Sequence, residues 1–140
     1  MHSFETLSEK FSAQFNKSHF PAEPSSLYQP NEYFLKLGGK RVRPVLCLMG
    51  NELFGEIESD AWHVSNAIEL FHNFTLIHDD IMDKAPLRRG LETLHTKYGE
   101  STALLAGDVM LVVAYEYLNH IGPQFIHRII RFFNQTEMKV

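Results

Sequence analysis

The sequence predicts an all-α protein of six or seven helices. Three observations carry that reading. Apolar residues recur at intervals of three and four along most of the chain, no stretch alternates apolar and polar residues as a half-buried strand would, and proline and glycine fall between the periodic stretches. With 44% hydrophobic and 12% aromatic residues among 140, one packed core is within reach. No internal repeat or low-complexity tract interrupts it.

Taken in order, Phe4, Leu7, Phe11 and Phe15 mark a first amphipathic helix ending near Asn16-Lys17-Ser18. The stretch from Pro21 to Pro30 reads as a connection, followed by a short helix over Tyr33 to Leu37 that Gly38-Gly39 stops. Pro44 suits a first helical position, opening a helix from Val45 to Leu53 that Gly55 closes. Asp60 is the expected N-cap of a long helix through Ala67, Leu70, Phe74 and Ile77. Pro86 and Gly90 bracket a loop. Beyond it, Ser101 to Tyr117 is apolar on almost every face, with Gly107 permitting close helix approach, and Pro123 begins a last helix through Phe133.

Composition bounds the function. A formal charge of -4 supplies no general basic field for nucleic acid. The single cysteine, Cys47, has no partner for an internal disulfide and sits in an apolar run as a small hydrophobe, which suits a reducing compartment. The first residues carry neither a basic nor an apolar leader region, and no apolar stretch approaches the roughly 18 residues of a membrane span. The expectation is a cytoplasmic protein without stable membrane insertion.

Chemistry concentrates where the long helix ends, at Ile77-His78-Asp79-Asp80-Ile81-Met82-Asp83. Asp79 and Asp83 lie one turn apart on one face, with Cβ atoms roughly 5–6 Å from each other. Like charges at that spacing repel unless water solvates them or a cation holds them. Carboxylate oxygens without sulfur ligands suit a hard ion such as Mg²⁺, which keeps several waters and shares its coordination with substrate phosphate. Arg88-Arg89 follows at once, and guanidinium groups are forked donors to phosphate oxygens. Gly38-Gly39-Lys40-Arg41-Val42-Arg43-Pro44 adds three cations ahead of a helix start, where free amides and the dipole also favour an anion.

Counted at about 100° per residue, His72 and Asp83 fall within about 40° of Asp79, with Ile68, Thr75 and Leu76 on the same side. Phe71 and Phe74 lie on one flank. The region beneath the acids is therefore greasy, which implies an amphipathic substrate with its charged head clamped above. Glu69-Leu70-Phe71-His72 and Glu92-Thr93-Leu94-His95 also match the Glu-x-x-His pattern of di-iron bundles. That reading leaves the acidic cluster and five cations without work.

These motifs resemble, in order and spacing, the trans-isoprenyl diphosphate synthases, or polyprenyl synthetases. The matching residues are Gly39-Lys40-Arg41-Val42-Arg43-Pro44, His72, Leu76 to Asp83, Arg88-Arg89-Gly90, Thr93, His95, Gly99 and Ala106-Gly107-Asp108, and the resemblance runs from about Leu27 onward. It implies part of a larger helical bundle of the isoprenoid synthase type. By this resemblance Lys40, Arg43, His72 and Arg89 hold isopentenyl diphosphate, Arg88 with Mg²⁺ on Asp79 and Asp83 holds the allylic diphosphate, and Asp79, Asp80, Asp83 and Arg88 are the catalytic set. Bulk at Phe71, Phe74 and Thr75 forms the floor of a hydrocarbon tunnel, giving a product of about C15 to C20, since close packing resists further carbons. The resemblance, and the apolar girth of the Ser101 to Tyr117 helix, imply a homodimer.

Two departures qualify the match. Glu92 stands where members usually have proline, and members run to about twice this length with a second aspartate-rich motif. The expectation is that residues 1–140 form the N-terminal part of a single polyprenyl synthetase domain, ending before that motif and inactive alone. The alternative is a non-catalytic helical subunit or interaction module that keeps half of the site.

Overall fold

A computed structural model of residues 1–140 contains seven helices and one short hairpin: α1 (Phe4–Phe15), α2 (Ser25–Lys36), α3 (Val42–Glu52), α4 (Ser59–Met82), β1 (Leu87–Arg88), β2 (Leu91–Glu92), α5 (Leu94–Tyr98), α6 (Glu100–Asn119) and α7 (Ile126–Glu137). The all-α expectation holds. The long α4, at 24 residues, is the axis on which the rest packs. It meets α6 along most of its length, α3 on another side, and α7 near its first half.

The α4–α6 contact is close because α6 presents a stripe of small residues. Ala103, Ala106, Gly107, Met110, Ala114 and Leu118 recur at three and four and are all buried. A Cβ at Gly107 would sit 2.4 Å from His78 Nε2, so the absence of a side chain there makes room for the imidazole. His78 Nε2 lies 3.2 Å from the Leu104 carbonyl, which ties the two helices beside the acidic cluster. α6 is also long and apolar enough to cross a membrane, contrary to the expectation from the sequence, where Asp108 and Glu116 interrupt the run. Its buried stripe packs on the main core with Leu7, Phe11, Phe34, Val45, Leu48, Leu70 and Ile77.

Five boundaries differ from expectation. The connection before α2 is shorter, since α2 begins at Ser25 and carries Pro30 inside it. Pro30 forfeits one backbone hydrogen bond, and burial of Pro30, Asn31 and Phe34 offsets that loss. α3 starts at Val42, so Pro44 lies at its third position. Asp60 is not the N-cap of α4 but lies in its first turn, accepting the Gly122 amide at 3.3 Å and so docking the α6–α7 turn. The loop after Pro86 is a hairpin followed by the short α5, where Thr93 is the cap residue. Pro123 lies in the turn before α7, which starts at Ile126.

Candidate diphosphate site

The cation loop is built around a residue that turns inward. Arg41 sits at the N-cap of α3 in the left-handed region, φ 53°, and its side chain is buried. Its guanidinium pairs with Glu69 on α4 and lies 4.9 Å from the centre of the Phe15 ring. Glu69 also accepts from Asn73 Nδ2 at 3.2 Å. A buried carboxylate so engaged is a structural partner, and Glu92 is exposed on β2, so the Glu-x-x-His pairs of the di-iron alternative do not meet. With Arg41 anchored, its neighbours Lys40 and Arg43 are left exposed and without an ion pair.

The hairpin brings the arginine pair to the same place. Arg89 and Gly90 form its two-residue turn with φ 53° and 80°, the twist that matches a tight antiparallel pair. The Arg89 guanidinium rests on Gly39, where a Cβ would stand 3.1 Å from its terminal nitrogen. Gly39, Lys40, Arg43, His72 and Arg89 thereby line one cleft of about 520 Å³, with Arg41 and Glu69 forming part of its wall. The four residues expected to hold isopentenyl diphosphate are brought together. Arg43 donates to His72 Nε2 at 3.3 Å, so the proton of His72 is on Nδ1. Burial, then the Arg43 charge, holds the His72 pKa below its usual value, which keeps the ring neutral. Burial, and after it the neighbouring Arg88 and Arg41 charges, also lower the Arg89 pKa.

The acidic end divides its carboxylates. Asp80 follows Asn73 and Ile77 on the buried face of α4 and accepts two hydrogen bonds from Arg88, from Nε and a terminal nitrogen, each 2.8 Å. This forked pair raises the Arg88 pKa, with Asp79 and Asp83 adding smaller contributions. Asp80, expected in the catalytic set, thus holds Arg88 in place. Asp79 and Asp83 are exposed and unpaired, and their oxygen-only donors fit a hard cation completed by water and phosphate.

The expected chain-length residues do not share one environment. Phe71 packs edge-on against Phe133 of α7, with ring centres 5.5 Å apart, and so belongs to the α4–α7 seam. Phe74 lies between Phe71 and His78, 5.3 and 4.7 Å from their ring centres. Thr75 Oγ1 donates to the His72 carbonyl at 2.7 Å, its hydroxyl used within the helix.

Sequence reasoning did not find Arg41 as the anchor of its loop. Its partner Glu69 lies 28 residues away, and no local pattern links them. It also gave Tyr33 no role beyond opening a short helix, whereas its hydroxyl donates to the Glu92 carbonyl at 2.8 Å and ties α2 to the hairpin. For Asp80 a signal was available, because it continues the three- and four-residue stripe of Leu70, Asn73 and Ile77.

This helical bundle gathers Lys40, Arg43, His72 and Arg89 around one cleft and leaves Asp79 and Asp83 exposed at the end of α4, an arrangement with the chemistry to hold a compact polyanion. Comparison with known proteins narrows this reading. The polyprenyl synthetase family model matches residues 24–140, and the chain belongs to that family. It is 50% identical over 97 residues to a geranylgeranyl pyrophosphate synthase of Geoglobus acetivorans, covering 69% of this chain and 30% of that protein. A crystal structure of a geranylgeranyl pyrophosphate synthase superposes with a TM-score of 0.93 at 41% identity, over 99% of this chain and 42% of the other. The geranyltranstransferase of Thermotoga maritima follows at 0.87 and 35%, over 99% and 52%. The chain therefore spans about a third of that curated relative's length.

Proposed function

We propose that this chain supplies the substrate-head half of a trans-prenyltransferase that condenses isopentenyl diphosphate with an allylic diphosphate to a product of about C15 to C20, a length set by how tightly the tunnel floor packs. One observation carries it: Lys40, Arg43, His72 and Arg89 converge on a single cleft, all without an anionic partner. Residues 1–140 then form part of one polyprenyl synthetase domain, working as a homodimer in the cytoplasm. Exposed Leu104, Leu105 and Val112 on α6 support the dimer, although Met110 is turned inward. The names of the similar proteins support a short product.

In this reading the four cleft groups bind the isopentenyl diphosphate head, and neutral His72 donates one hydrogen bond through Nδ1–H. Arg88, oriented by Asp80, binds the allylic diphosphate, and Asp79 and Asp83 would hold Mg²⁺. When bound, Mg²⁺ supplies charge neutralisation that makes diphosphate a competent leaving group. The allylic C–O bond breaks and its electron pair leaves with diphosphate; the isopentenyl double bond attacks the carbon, a C–C bond forms, and the resulting cation re-forms a double bond by giving one proton to the released diphosphate. Arg88 stabilises charge that develops on the departing oxygen. No side-chain nucleophile is required.

The test is condensation of labelled isopentenyl diphosphate with geranyl and farnesyl diphosphates, using both the 140-residue chain and the reading frame that contains it, with product length measured. No Mg²⁺-dependent product from the longer protein would sink the reading. Phe74→Ala beside Phe71→Ala tests the tunnel floor. Longer products from Phe74→Ala are expected, and unchanged products from both variants would place the floor elsewhere.

A further inference from the structure

In the loop between the carboxylates of α4 and the arginine pair of the hairpin, two side chains converge on one acceptor. The Ala85 carbonyl accepts from Thr93 Oγ1 at 2.7 Å and from His95 Nε2 at 2.8 Å, while the Ala85 amide donates to the Asp80 carbonyl at 3.0 Å. Thr93 is fully buried at the start of α5, its hydroxyl also 2.9 Å from Thr96 Oγ1, and its own amide donates to Pro86 at 3.2 Å. Between Asp83 and Arg88 the chain makes one left-handed turn at Lys84, φ 52°. Left-handed backbone at a side-chain-bearing residue costs roughly 1–2 kcal/mol, so this turn needs fixed partners. The forked Arg88–Asp80 pair ties the hairpin to α4 at its near end, and the two donors on Ala85 add a second tie from the start of α5.

We infer that Thr93 and His95 are positioning residues: through the Ala85 carbonyl they fix the separation between Asp79 and Asp83 on α4 and Arg88 on the hairpin, the span that the allylic diphosphate must bridge. The inference rests on the proposed diphosphate site and deepens it. Neither side chain needs to touch the ligand. Each acts through one shared acceptor, and that distinguishes the pair from the cleft cations.

The test is titration of the chain with inorganic pyrophosphate, with and without Mg²⁺, by calorimetry. Thr93→Val keeps the shape and removes the hydroxyl, while Thr93→Ser keeps the hydroxyl; His95→Gln keeps a donor near Nε2, and His95→Ala does not. Thr93→Val and His95→Ala should each weaken pyrophosphate binding roughly fivefold, the worth of a lost hydrogen bond. Thr93→Ser and His95→Gln should stay within about twofold, and amide exchange across residues 83–92 should speed up only in the first two. Equal binding by Thr93→Val and wild type overturns the inference, as does equal loss in Thr93→Val and Thr93→Ser. Should Thr93→Val fail to fold, the His95 pair gives the same contrast, and unfolding of all four variants would assign these residues to the fold instead. Failure of wild type to bind pyrophosphate would instead sink the diphosphate site itself.

Discussion

The loop from Gly38 to Pro44 and the end of α4 solve one electrostatic problem with opposite signs. Each collects like charges within a few residues, and each sends one of them inward to a partner of opposite charge. Arg41 pairs with Glu69, and Asp80 pairs with Arg88. The remaining charges, Lys40 and Arg43 on one side, Asp79 and Asp83 on the other, stay exposed and unpaired. Burial with a partner ties a charge to the fold, whereas exposure without one leaves it free for a ligand. The difference lies in depth: Arg41 and Glu69 are both nearly inaccessible, while Arg88 remains half-buried and reaches solvent beside Asp80.

That contrast breaks first at the deeper pair. Arg41→Ala or Glu69→Ala should destabilise the chain by about 3–5 kcal/mol in urea unfolding, because each strands one buried charge. Lys40→Ala should change stability by less than about 0.5 kcal/mol. Similar losses in all three would erase the division between anchoring and free charges.

Next comes the exposed acid pair. In the catalytic assay of the longer protein, Asp79→Ala or Asp83→Ala should lower kcat by about a hundredfold with little change in unfolding midpoint, since the group acts where charge develops. Activity kept within about threefold, under ~1 kcal/mol of barrier, would remove these carboxylates from the mechanism.

The cleft cations should show a smaller and more selective effect. Lys40→Ala or Arg43→Ala should raise KM for isopentenyl diphosphate about tenfold, the worth of one charge-assisted hydrogen bond. KM for the allylic substrate should barely move. Equal shifts for both substrates would merge the two binding places that the comparison separates.

The gentlest probe is pH. Burial lowers the pKa of His19 and His72, and of His63, where the His120 charge adds to it. The unfolded chain therefore binds protons that the folded chain does not, once pH falls below the ordinary histidine value of about 6.5. Stability should be complete above that value and decline as pH drops through it toward the lowered folded values. His19→Gln should flatten part of this slope in a melting series between about pH 7 and 5. An unchanged slope would show that the half-buried His19, which meets the Tyr117 hydroxyl at 2.6 Å, does not contribute.

Much of the architecture was legible in the sequence because it depends on neighbours along the chain. The stripe of Phe4, Leu7, Phe11 and Phe15 became α1, which stops at Phe15 just ahead of the expected end near Asn16-Lys17-Ser18, and the apolar Ser101 to Tyr117 run became α6. Lys40 and Arg43 stood out because cations next to glycines at a helix start carry their own chemical meaning, whereas their grouping with His72 and Arg89 came from the family resemblance. The hairpin was not legible, since two-residue strands offer no alternation to detect. It is held by Arg88 on Asp80, Arg89 on Gly39 and Tyr33 on Glu92, all contacts between separate elements.

The sequence by itself determined the helical periodicity, the supply of charge at two points and the order of the motifs, because helix formation and local charge act over a few residues. Only the tertiary structure decided which charge is buried and which is free. That choice rests on distances between residues far apart in the chain, such as Arg41 and Glu69, 28 positions apart. In a low-dielectric interior an ionised group is stable only where a partner of opposite charge has been brought to meet it.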